Sequence, residues 1–126
     1  MLRHTVATVA YRAGKALRGA PDSFADFSSG EKGRTPAKIL AHMGDLYDWV
    51  LSLARGKQAW HDSTPLPWRQ EVDRFFKSLK AFDDYLASDQ PLAESPEKIF
   101  QGGVADSLTH TGQITMLRRM ATMNHT

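Results

Sequence analysis

The sequence predicts an all-α protein, a single four-helix bundle of antiparallel type that spans residues 1–126. Three observations indicate this fold. Apolar residues recur at three- and four-residue spacing in four stretches, loops rich in Gly, Pro, Ser and Asp separate those stretches, and no run alternates as a half-buried strand would. A chain of 126 residues is also long enough to bury one hydrophobic core.

The first two helices are marked by their apolar faces and their ends. The first runs from about Leu2 to Leu17, and "GAPDSFADFSSGEKGR" then breaks it. The second has Thr35 as a plausible N-cap and Pro36 at the first helical position, where the missing N–H costs nothing, and it continues to Gly56. The apolar faces consist of Leu2, Val6, Val9, Ala13 and Leu17 in the first helix, and Ile39, Met43, Leu46, Val50 and Leu53 in the second.

The third and fourth helices follow two further loops. "GKQAWHDSTPLP" precedes the third helix, whose apolar positions are Val72, Phe75, Phe76, Leu79, Phe82 and Leu86. After "SDQPLAESP" the fourth helix starts near Pro96 or Glu97 and runs to about Met120. Gly102 and Gly103 are expected to weaken its beginning.

Composition excludes several classes of function. The chain has no cysteine, so a metal site here must use His, Asp, Glu or solvent. The formal net charge is only +2, and Lys and Arg are scattered along the chain, so we expect no nucleic-acid partner. No stretch resembles a secretory signal or a membrane span, which makes a cytoplasmic protein the expectation.

Polar residues form a line on the fourth helix. Positions four apart on an α-helix are separated by about 40° and positions seven apart by about 20°, so Asp106, His110, Gln113 and Leu117 share one side, with Ile99 also on the line. The line follows the edge of the apolar arc. Asp106 and His110 alone therefore fit a solvated surface pair, which contributes only about 0.2–0.5 kcal/mol.

His42 suggests a second interpretation. It lies between Leu46 and Trp49 on the apolar side of the second helix, where a lone His is more often a core or boundary residue than a ligand. Together, His42, Asp106 and His110 offer two imidazoles and a carboxylate from two helices, a set that accepts Zn, Ni, Mn or Fe. Three protein ligands with open positions are typical of catalytic metal sites.

The remaining histidines indicate less. His4 lies off the apolar face of the first helix, His61 lies in a loop beside two tryptophans, and His125 is near the end of the chain, so each is expected to be an ordinary solvated residue. His61 could instead border a substrate cleft. Trp49 and Leu46 are the other candidates for pocket lining, although aromatic residues at helical spacing are usually core.

Two segments resemble the motifs of the DinB-like superfamily of small metal-binding helical bundles: "KILAHMGDLYDWVL" and "DSLTHTGQITMLRR". In that family a His early in the second helix joins an H-x-x-x-H pair in the last long helix, commonly followed by Gly-Gln-Ile. His42 matches the first ligand and His110 the last, while Gly112, Gln113 and Ile114 match Gly-Gln-Ile. Asp106 stands where the family usually has His, which would shift the preference toward harder metals. Thr111 stands where Arg is frequent.

The resemblance implies a divalent-metal-dependent transferase or hydrolase. Relatives in the superfamily include thiol-dependent S-transferases and a mycothiol-dependent maleylpyruvate isomerase, so the implied partners are a small-molecule thiol or an electrophilic substrate, and a homodimer is expected. Gln113 would orient a ligand or pack between helices, and Gly112 would allow close helix approach. The alternative is a non-catalytic interaction or dimerisation module with a degenerate metal site.

Overall fold

The computed structural model describes residues 1–30 and 33–123, and within these ranges it is helical with no strand. Its elements are α1 (Leu2–Leu17), a 3-10 turn (Asp22–Asp26), α2 (Pro36–Arg55), α3 (Trp68–Ala87), α4 (Pro96–Ile99), a π-helical turn (Phe100–Val104) and α5 (Ala105–Met123). The last three are continuous and form one C-terminal helix. The predicted four-helix bundle is confirmed at this level, and no described helix is both long and apolar enough to cross a membrane.

The ends of α2 agree with the sequence prediction. The Thr35 side chain accepts a hydrogen bond from the Lys38 backbone N–H, and Pro36 occupies the first helical position. Gly56 ends the helix in the left-handed region, with φ of 84°, a conformation that costs a glycine little. All five residues of the predicted apolar stripe are buried, as are those predicted for α1.

The segment between α1 and α2 contains structure that the sequence did not indicate. Its 3-10 turn buries Phe24, whose ring packs edge-on against Trp68 at 5.6 Å between centroids. This contact fixes the segment against the start of α3. The third helix begins at Trp68, directly after the predicted loop and one turn before the first residue of its predicted stripe.

The four helices enclose one core in which each helix has two main neighbours. α1 and α2 lie diagonally opposite each other, and both contact α3 and α5. Arg3 of α1 pairs with Asp83 near the end of α3, so these two helices are antiparallel. The C-terminal helix is antiparallel to α2, because Gly103 lies against Val50 whereas Asp106 and His110 lie near His42.

Helices α2 and α3 run parallel, which departs from the predicted antiparallel arrangement. Arg74 contacts Asp45, and roughly two and a half to three turns further along both helices Tyr85 donates a hydrogen bond to the Ala54 carbonyl. The connection from Gly56 to Pro67 must therefore return along α2, which is about 30 Å long at 1.5 Å per residue. At roughly 3.3 Å per extended residue, that connection is long enough to do so.

The two glycines near the start of the C-terminal helix lie in the π-helical turn and do not end the helix. A Cβ on Gly103 would lie 2.1 Å from Val50 Cγ1, and one on Gly102 would lie 3.2 Å from the Trp49 ring. The glycines therefore let α2 approach this turn. The extra residue of a π turn also rotates the following helix relative to the preceding one. Ile99 and Asp106, which the sequence placed on one side of a regular helix, therefore differ in burial: Ile99 is fully buried, whereas the Asp106 side chain is 45% exposed.

We predict that Gly103→Ala lowers the free energy of unfolding by about 1–3 kcal/mol, because the short, branched Val50 side chain cannot move away from the new methyl group. Gly112→Ala is the matched control, since a Cβ there meets no atom within 4 Å. It should raise stability by about 0.5–1 kcal/mol. Urea unfolding followed by circular dichroism measures both, and equal effects of the two substitutions would contradict the assigned contact.

Candidate metal centre

Three side chains from two helices meet at one edge of the bundle: His42 of α2, and Asp106 and His110 of α5. Asp106 Oδ2 lies 3.7 Å from His42 Nε2 and 3.4 Å from His110 Nε2. The two imidazole rings cross almost perpendicularly, with centroids 4.8 Å apart. The structure thus brings together the three residues that the sequence analysis selected as ligands.

A buried hydrogen bond beside this group connects the two helices. The Tyr47 hydroxyl lies 2.6 Å from Ser107 Oγ, and Ser107 donates its own proton to the Val104 carbonyl. Tyr47 is therefore the donor to Ser107. Burial raises the pKa of Tyr47 to about 12, so its hydroxyl stays protonated and the bond persists at neutral pH. Because Ser107 is adjacent to Asp106, the bond fixes the position of α5 along α2 at the candidate centre.

Gln113 orients the His110 ring. Its Oε1 lies 2.8 Å from His110 Nδ1. A carbonyl oxygen only accepts, so Nδ1 carries a proton, and Nε2, which lies 3.4 Å from Asp106 Oδ2, is the ring nitrogen that could bind a metal ion. A ligand histidine typically donates its other ring N–H to such a partner. The geometry fits the orienting role predicted for Gln113, and that role in metal binding stays a prediction.

The surroundings of His42 favour its neutral form. Burial lowers the pKa of His42, and the nearby His110 and Arg34 lower it further, against the opposing attraction of Asp106. A neutral imidazole has the free lone pair that a metal requires. His42 is therefore a competent ligand at neutral pH.

The donor set fits a divalent metal ion. Nitrogen and oxygen ligands at about 2.0–2.2 Å from a tetrahedral ion are roughly 3.4 Å from one another. Two of the three pairs lie near that separation, and all three ligand atoms lie within 4.8 Å of one another. The half-exposed Asp106 leaves one side of the group open to solvent. Ligand type and spacing thus suit an open site, although metal binding itself stays a prediction.

Trp60 forms an aromatic wall beside the candidate centre that the sequence analysis did not identify. Its ring contacts His42 edge-on at 5.8 Å between centroids and Trp49 at 6.1 Å. The side chain is held by a hydrogen bond from its indole N–H to Asp62, yet it remains 44% exposed. Its placement depends on the return of the loop along α2, which no local sequence signal indicates.

A second group of metal-ligand type lies nearby, formed by Asp45, Asp48 and His61. His61 Nε2 lies 3.5 Å from Asp45 and 3.4 Å from Asp48. The guanidinium of Arg74 already contacts both carboxylates and also pairs with the fully buried Glu71. In this ion-pair network, unlike the first group, an arginine already occupies carboxylate oxygens that a metal ion would use.

The network also holds the loop that follows α2. Asp45 accepts hydrogen bonds from the backbone N–H and the hydroxyl of Ser63, and Glu71 accepts one from the Leu66 backbone N–H. Although burial opposes ionisation, these bonds and Arg74 lower the pKa of Asp45. Among the described residues, no buried side-chain N or O lacks a hydrogen-bond partner.

Several residues selected from the sequence lie elsewhere. Leu46 is buried in the core, and the exposed His61 faces Asp45 and Asp48 rather than the three candidate ligands. Gly112 is exposed with open space around it, so it does not serve close helix packing. His4 is exposed as predicted, and His125 lies outside the described residues.

Comparisons with known proteins add no assignment: no family model, curated protein or solved structure matches the chain. Fold and site together define a class, a four-helix protein with a His/Asp/His group that could hold a metal ion.

We predict that Asp45→Asn lowers the free energy of unfolding by about 2–3 kcal/mol at pH 7, because it replaces the buried carboxylate that accepts hydrogen bonds from Arg74 and Ser63 with a neutral amide. The pKa of Asp45 is below its ordinary value of 3.8 in the folded protein, so this contribution is complete above that value and is lost as the pH falls below it.

Urea unfolding of wild type and Asp45→Asn at pH 7 and pH 2–3 should therefore show a gap in stability that narrows in acid. Asp73→Asn, an exposed position on α3, is the control and should change stability little at either pH. A gap for Asp45→Asn that stays constant between the two pH values would contradict the charged network.

Proposed function

We propose that this protein is a divalent-metal-dependent enzyme of the DinB-like type that activates a low-molecular-weight thiol or water. The observation that carries the proposal is the convergence of two imidazoles and one carboxylate, with Gln113 orienting His110. The two sequence segments that resemble the DinB-like motifs supply the same three positions. Zn, Ni, Mn and Fe all accept such ligands.

A divalent ion held by these residues would lower the pKa of a thiol or water and orient it for attack. The chain's own residues supply the surroundings. The Nε2 atoms of His42 and His110 lie within 3.7 Å of the Asp106 carboxylate, and Gln113 accepts a hydrogen bond from Nδ1 of His110 on the other side of the ring. The Trp60 ring packs edge-on against His42. In a thiol transfer, the sulfur would form a bond to the electrophilic carbon while the leaving group departs with its electron pair.

A non-catalytic interaction module is the second candidate, and one observation favours it. Asp106 already lies within 3.7 Å of both imidazoles, so one protonated histidine would balance the carboxylate without a metal ion. Exposed Met116 and Tyr11 would then serve protein contacts, including the predicted homodimer. Metal content separates the two candidates.

Wild-type protein purified without a His tag and incubated with Zn, Ni, Mn or Fe(II) is expected to retain about one ion per chain for at least one of these metals. His42→Ala and His110→Ala should each lose most of the metal, because either change leaves two ligands. His4→Ala is the matched control, since His4 is exposed on α1, and it should retain the wild-type content. Mass spectrometry of the desalted proteins gives the result.

Sub-stoichiometric metal in reconstituted wild type would overturn the proposal in favour of the interaction module. Where metal is retained, Asp106→His tests the departure from the family pattern, and it should shift preference toward Zn and Ni over Mn. Conjugation of a thiol to monochlorobimane with and without the retained metal then distinguishes thiol transfer from activation of water.

Gln113→Leu is expected to weaken metal binding at least tenfold, because the variant loses the acceptor that fixes the Nδ1 proton of His110. Gln113→Glu keeps an acceptor oxygen and should bind metal at least as tightly as wild type. Competition with a fluorescent zinc chelator measures both affinities. Equal weakening by the two substitutions would show that Gln113 acts through packing instead.

A further inference from the structure

An open groove of about 530 Å³ adjoins the candidate metal centre, between the start of α2 and the second half of α5. Its apolar walls come from both helices and consist of Ile39, Met116, Leu117 and Met120. Met116 is 58% exposed, a high value for an apolar side chain. The volume lies in the range of small-molecule sites, which is about 300–1,000 Å³.

The groove and the candidate centre share a wall. Gln113 lines the groove and also contacts His110 through its Oε1. Ile39 lies one helical turn before His42 on α2. A molecule lying along Ile39 and Met116 would therefore have one end next to the three candidate ligands.

One charged side chain lies at the rim. Arg34 is exposed, it lines the groove, and within residues 1–30 and 33–123 it makes no ion pair or hydrogen bond. No Asp or Glu lines the groove in that part of the chain. Arg34 directly precedes the N-cap of α2, so the partial positive charge of the helix N-terminus adds to its own. The groove thus combines an apolar surface with a positive edge.

We propose that this groove binds the substrate of the metal centre, a small molecule that carries a carboxylate and an apolar chain or ring. This inference rests on the proposed function. Arg34 pairs with the carboxylate, and Ile39, Met116 and Met120 contact the apolar part. Methionine side chains are flexible and polarisable, which suits them to apolar ligands of variable shape. The positive rim selects an anion over a neutral or cationic molecule of equal length.

Octanoate is the probe, and octan-1-ol and octylamine are the neutral and cationic controls of the same chain length. Titrations are followed through the methionine methyl signals in NMR spectra, first with metal-free and then with metal-loaded protein. Octanoate should shift the signals of Met116 and Met120 in both forms, and octylamine should shift neither. Arg34→Gln should weaken octanoate binding about five- to tenfold, as expected for one partly exposed ion pair.

Two further variants complete the design. Arg119→Gln removes an exposed arginine of α5 that lies outside the groove, and it should bind octanoate like wild type. Met116→Glu places a negative charge on the apolar wall and should abolish binding. Both replace exposed side chains, so circular dichroism should show that each variant keeps its fold.

The outcomes separate this inference from the proposed function. Metal retention without any octanoate shift, or equal binding by wild type and Arg34→Gln, overturns the groove proposal and leaves the metal centre standing. Octanoate binding by a protein that retains no metal overturns the assignment of the groove to an enzyme substrate. If octanoate does not bind and Met116→Glu converts a dimer into a monomer in ultracentrifugation, the groove is a subunit interface and the proposal is wrong.

Discussion

The parallel orientation of α2 and α3 is the constraint on which the rest of this structure depends. It forces the segment between Gly56 and Pro67 to cross back over the full length of α2. Along that path Ala59 bonds Ser52, Trp60 contacts Trp49 and Ser63 bonds Asp45. A short antiparallel connection would leave this surface of α2 open. The loop therefore covers part of the bundle edge and determines which side of His42 stays accessible.

Holding the loop requires charged groups in the interior, which are costly unless their charges are matched. Here Arg74 contacts Asp45, Asp48 and Glu71 at once, and loop N–H groups donate hydrogen bonds to the carboxylates of Asp45 and Glu71. The candidate metal centre also combines aspartate with histidine, and its three described residues include no arginine. Within the described residues both ion-pair partners of Asp106 are histidines, and histidine is a neutral ligand or a cation according to its surroundings. That difference separates a structural network from a candidate metal centre.

Sequence periodicity was sufficient for the helices, because buried faces repeat every three or four residues. It placed Asp106 and His110 on one side of the last helix and His42 on the apolar side of the second, and the motif resemblance then favoured one shared site. Periodicity could not give helix direction, since apolar stripes look alike in parallel and antiparallel neighbours. Trp60 depends on that direction and was therefore missed. The sequence analysis assigned close helix approach to Gly112 and a weakened helix start to Gly103, whereas close approach occurs at Gly103. A missing Cβ matters only where another helix comes close, and Val50 comes close to Gly103 alone.

Under the two proposals, the charge of Asp106 bears on the role of Arg34. A divalent ion held by three neutral histidines would keep its full charge of +2, whereas the carboxylate of Asp106 would reduce the charge of the centre to +1. A weaker positive centre attracts an anionic ligand less by itself, so a second cation placed nearby has more to contribute. Arg34 is such a cation, at the start of α2 and on the rim that leads to His42. If both proposals hold, Asp106 and Arg34 would be complementary: the carboxylate would reduce the charge of a bound metal ion, and the arginine would attract the anion that the groove binds.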